Sequence, residues 1–94
     1  MIEAEMRHYP YRPLEPDAYG QTQPGEVQGT VKMAVFLNTQ AISDAALYST
    51  AEYIGMTRDA TVTDRYVIEH PDGLLKVLYV RKAGPWMEAF MVRL

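Results

Sequence analysis

The 94-residue chain contains no cysteine. That excludes disulfide staples, thiolate metal sites and cysteine nucleophiles together. A small domain without disulfides suits a reducing compartment, so the expected location is cytoplasmic. There is no apolar run of the roughly 18 residues a membrane-spanning helix needs, and no membrane partner is expected. Residues 1–9 alternate charged and apolar side chains without a basic start and apolar stretch, so no signal peptide is expected there. Acidic and basic residues also nearly balance. The formal net charge is −3, and all of that excess lies in residues 1–30, whereas residues 31–94 balance. No segment shows the basic excess usual in nucleic-acid binders.

What is present is a globular composition, with 48% hydrophobic and 22% charged residues. Seven Tyr, two Phe and one Trp supply the bulk that a short chain needs for a core. A chain of this length makes one domain, expected to divide into a strand with an extended arm and loop (1–26) and a β-α-β-β-β core (27–94).

In residues 1–9 the alternation of Ile2, Ala4 and Met6 with Glu3, Glu5 and Arg7 predicts an edge strand. Pro10, Pro13 and Pro16 then predict an extended, polyproline-II-like arm, because proline fixes φ and pushes its predecessor towards extended geometry. Alternation from Val27 to Leu37 predicts a long strand. Over 40–54, Leu47, Ala51 and Ile54 fall at helical spacing. Thr39 or Ser43 can cap the start, Asp44 complements the dipole, and Gly55 is placed to end the helix. Residues 61–70, 74–81 and 86–94 alternate as three strands of a meander. The turns between them fall at Pro71-Asp72-Gly73 and Lys82-Ala83-Gly84-Pro85. The predicted fold is therefore α+β: one helix on a mainly antiparallel sheet of four or five strands, with an N-terminal Pro/Tyr-rich arm. Residues 74–80 are apolar on both faces, which calls for a cover on the side away from the helix. Either the arm or a second copy of the chain can supply it.

No catalytic constellation emerges, and an enzyme is not expected. His8 and His70 lack the spacing of a metal site, and Asp59, Asp64 and Asp72 read as turn and surface residues. Ser43 and Ser49 have no nucleophile elbow around them, and no phosphate-binding glycine loop is present. Neither a cofactor nor a metal is expected. Three kinds of function remain. The first is protein binding, with itself or another protein, through the acidic and aromatic residues Tyr9, Tyr11, Arg12, Glu15, Asp17 and Tyr19. An inhibitor of a larger host protein, of the kind phages and mobile elements carry, fits this composition. The second is nucleic-acid binding on a sheet face by Arg65, Tyr79, Arg81, Lys82 and Trp86. The third is a structural subunit of a homo-oligomeric or virion assembly.

Overall fold

The computed structural model of the chain describes residues 5–38 and 51–94. Its strands are β1 (Arg7–Pro16), β2 (Thr22–Pro24), β3 (Gly29–Leu37), β4 (Tyr53–Thr57), β5 (Tyr66–His70), β6 (Gly73–Ala83) and β7 (Trp86–Arg93). Their order is β2-β1-β3-β4-β7-β6-β5, and β1 also pairs with β5. That last pairing closes six strands into an antiparallel barrel, with β2 attached to the end of β1.

The α+β expectation is overturned. Among the described residues there is no α-helix, and no helix long and apolar enough to cross a membrane. Positions 40–50 of the expected helix, with its caps, lie outside the described residues. Its end does not: Tyr53 and Ile54 belong to β4 and pair with β3 and β7. Gly55 is no helix terminus but the middle of that strand, opposite Val35 and Ala89. The physical reason is that a sheet can bury an apolar face by curling on itself. Closure also removes both open edges, so the described strands need no helical layer to cover the inner face.

Alternation sends Val31, Met33, Tyr53, Ile68, Leu75, Val77, Ala89 and Met91 into the barrel, with Val62 entering from the β4–β5 loop. Gly55 has a volume role there. A Cβ at Gly55 would collide with the Met33 Sδ and lie 3.0 Å from the Met91 Cε. Small barrels fit their taper by alternating small and large interior residues, and Gly55 and Ala89 are the small partners of Met33 and Met91.

The N-terminal arm is likewise corrected. Residues 7–16 form the wall strand that closes the barrel, pairing with β3 from Arg7 to Tyr11 and with β5 from Tyr11 to Pro13. Proline is tolerated in a strand where its missing N–H would have found no ladder partner. The Leu14 amide donates to the Arg65 carbonyl on the β5 side at 2.8 Å. By alternation Pro10 faces that same side, just beyond the point where the β5 ladder stops. Pro13 faces the other side, past the last β3 pair, and its carbonyl accepts from the Gly25 amide at 2.7 Å.

β6 also departs from simple alternation. Val77 pairs with Met91 but Tyr79 pairs with Phe90, so Leu78 is an extra residue in a β-bulge. The bulge turns Val80 inward and Tyr79 outward. It explains why 74–80 reads as apolar on both faces. Both meander turns fall where expected but are tighter. Gly73 (φ 129°) pairs with His70, and Lys82 and Ala83 belong to β6, leaving Gly84 (φ 62°) and Pro85 as the second loop. Gly84 holds the first central position of a two-residue hairpin loop, a position that favours glycine.

Candidate functional site

The β1–β2 hairpin turns at residues 17–21, and Asp17 organises it. The Asp17 amide donates to the Gln21 carbonyl at 2.6 Å, and the Gly20 amide donates to the Asp17 carbonyl at 3.1 Å. Its carboxylate accepts from the Tyr19 amide at 2.8 Å, the Gln21 amide at 3.0 Å and the Gln23 side-chain amide at 2.9 Å. This is an Asx-type turn in which the side chain replaces a backbone acceptor. The Tyr19 amide bond above all, helped by those from Gln21 and Gln23, holds the Asp17 carboxyl below its ordinary value of 3.8. The bonds belong to the ionised form, so their contribution is complete above that ordinary value and is lost as pH falls through the lowered one. Tyr19 and Gln21 amide NMR shifts should therefore move together at a single midpoint below pH 3.8. Tyr19 itself is 91% exposed, and Glu15 and Glu26 flank the hairpin as exposed residues.

The six residues expected to bind a protein separate into two groups. Glu15, Asp17 and Tyr19 gather at the end of the hairpin. Tyr9 and Tyr11 instead pack against the barrel core: Tyr9 lies 5.5 Å from the His70 ring, and Tyr11 meets Tyr66 edge-on at 5.3 Å. Gly29 sits opposite Tyr11, leaving room for its ring, which would be 3.4 Å from a Cβ there. Arg12 stays in the barrel wall, ion-paired with Glu69 and donating to the Gly25 carbonyl at 3.1 Å.

The five residues expected to bind nucleic acid are also divided. Tyr79 stacks on Phe90 at 4.6 Å with an interplanar angle of 11°. Arg81 is ion-paired with Glu88 and lies 5.5 Å from the Phe90 ring. Lys82 is opposite Met87 near the β6–β7 turn, and Trp86 opens β7. Arg65 is apart from them, in the turn before β5, where its carbonyl accepts from Leu14 of β1. Two cations that sequence reasoning missed stand near Trp86. The Arg58 guanidinium lies 4.5 Å from the centre of the Trp86 ring, and Lys32 lines the same cavity. The available signal was the strand-like run Tyr53–Thr57 before Arg58, which the helical reading of 40–54 obscured.

Tyr53, His70 and Asp72 meet at the β5–β6 turn. The Tyr53 hydroxyl donates to Asp72 Oδ2 at 3.0 Å, and that bond, with burial, raises the phenol above its ordinary value. His70 Nδ1 accepts the Asp72 amide at 3.1 Å, and its ring lies 5.7 Å from Tyr53. His8 is on β1, opposite Lys32. Asp59 and Asp64 belong to the β4–β5 loop. Among the described residues no three His, Asp or Glu side chains converge as a metal site. Ser43 and Ser49 lie outside the described residues.

Comparison of the chain with models of known families, with curated proteins and with solved structures gave no match.

Proposed function

We propose that this chain is a protein-binding module that docks through the end of its β1–β2 hairpin. Tyr19 is the anchor, and Glu15 and Asp17 are an acidic rim facing a basic recess on the partner. One observation carries the reading: a tyrosine 91% exposed on a turn already fixed by its own hydrogen bonds. Folding alone gives no reason to hold so large an amphipathic side chain in water. Tyrosines on rigid loops make effective anchors because little entropy remains to be lost on binding. The acidic rim favours encounter with a basic site and sharpens selectivity more than it adds affinity. A module of this shape acts by occupying the recess, which suits an inhibitor of a larger protein, and the absence of cysteine supports a cytoplasmic setting.

The test is affinity capture from a nuclease-treated bacterial lysate with the tagged chain and its Tyr19→Ala variant in parallel. The reading expects one stoichiometric, salt-resistant protein on the wild type that is missing from the variant. Equal recovery on both would refute hairpin docking, and recovery of the chain alone would remove the partner.

A further inference from the structure

Pairing registers bring a second set of residues together on the outer face of the barrel, independently of the hairpin. Ala34 is opposite Met56, and Met56 is opposite Glu88. One step of alternation further along the same strands aligns Lys32, Arg58 and Trp86. With Met6, Thr57 and Asp59 they line a cavity of about 340 Å³, within the size range of small-molecule sites, which begins near ~300 Å³.

The cavity's walls are held in place. The buried Thr57 hydroxyl donates to the Lys32 carbonyl at 2.7 Å and accepts from the Asp59 amide at 3.0 Å. That ties the end of β4 to β3 and sets where the Arg58–Asp59 corner turns. The Asp59 carboxylate is engaged within its own loop, accepting the Thr61 amide at 2.9 Å. Hydrogen bonds from the Thr61 side chain and amide hold the Asp59 carboxyl below its ordinary value and keep it anionic. The cavity therefore presents one carboxylate against two cations, with the Arg58 guanidinium over an indole, a thioether and an exposed ammonium. A planar aromatic ring gains from stacking on indole and guanidinium surfaces. An anion attached to that ring gains from Lys32 and Arg58. A nucleotide meets both requirements.

We infer that this cavity binds a phosphorylated nucleoside, with its base against the Trp86–Arg58 pair and its phosphate on Lys32. The ligand can be a free mononucleotide or one unit of a single strand, since both carry the same chemistry. Neither Tyr19 nor the acidic rim takes part.

Trp86 is the chain's single tryptophan, so its fluorescence reports this site alone. The experiment titrates the full chain at low salt with adenosine 5′-monophosphate, with a short oligo(dA), and with inorganic phosphate. Saturable quenching by a nucleotide ligand is expected. Lys32→Ala and Arg58→Ala should each weaken it about 5- to 10-fold, the size of a lost charge-assisted contact at an exposed site. Both side chains are exposed, and unchanged thermal unfolding would show that the variants remain folded. Tyr19→Ala should bind nucleotide as the wild type does. Quenching by the monophosphate assigns a free nucleotide, and quenching by the oligomer alone, falling with salt, assigns a strand. The inference is overturned if neither ligand gives a saturable change. It is equally overturned if both substitutions leave binding intact, or if inorganic phosphate competes as well as the nucleotide.

Discussion

Tyr19→Ala should lower affinity for the captured partner by about 30- to 100-fold, equivalent to ~2–2.7 kcal/mol, as expected for a hot-spot aromatic. At 91% exposure the Tyr19 side chain contributes little to the folded state, so the cost should fall on binding and leave the unfolding temperature unchanged. Most of the loss should appear as faster dissociation, because truncating an anchor changes the residence time more than the encounter rate. Tyr19→Phe should recover most of the affinity if ring area dominates, and only part of it if the hydroxyl finds a partner. Surface plasmon resonance with the purified partner separates these outcomes. An alanine variant with wild-type affinity would place the interface elsewhere on the barrel.

Gly55→Ala carries the largest expected effect on stability. A single methyl group there meets the Met33 Sδ, and the Met33 Cγ 3.1 Å away, inside the closed barrel. The Cγ is the nearer part of the Met33 side chain, so swinging its terminal methyl away does not relieve the contact. Overpacking of this kind costs about 1–3 kcal/mol. In a domain of this size each kilocalorie lowers the unfolding temperature by roughly 4–8 °C. Met33→Ala removes both the Cγ and the Sδ, so the double variant should lose less stability than the sum of the two single changes. Urea unfolding followed by Trp86 fluorescence measures all four proteins. A Gly55→Ala variant as stable as the wild type would mean that Met33 does not cross the barrel beside Gly55.

Much of the barrel is legible in the order of residues, and what is not has particular causes. β3, β7 and the two glycine turns follow from alternation and turn chemistry, with ends within two residues of those expected. β6 extends past 81 to Ala83 because its hairpin loop has only two residues. β1 is hidden because three prolines read locally as an unpaired polyproline-II-like arm. Only the register shows that each faces a side where the ladder has ended. β4 is hidden because Ala51 and Ile54 match a helical spacing, while the period-two set Tyr53, Gly55 and Thr57 contains a glycine whose value lies in the room it leaves for Met33. Closure by β1 and β5 is a pairing between residues some 55 positions apart, Tyr11 with Ile68 for example, and no local pattern encodes it. Of the proposed docking site, Glu15, Asp17 and Tyr19 are legible as acidic and aromatic residues in one segment. That Tyr9 and Tyr11 serve the core instead is not, since only the barrel decides which tyrosines face inward. The Lys32–Arg58–Trp86 row depends on β4 and was invisible for the same reason that β4 was.

The most direct test of the account is amide hydrogen exchange along β1, because closure by this strand both completes the core and holds the hairpin that carries Tyr19. The Leu14 amide, bonded to the Arg65 carbonyl at 2.8 Å, reports the β1–β5 seam. It should exchange as slowly as the amides of β6 and β7, through global unfolding. Fast exchange at Leu14 with continued protection of β6 and β7 would contradict closure, returning residues 7–16 to a separate arm and leaving the barrel open.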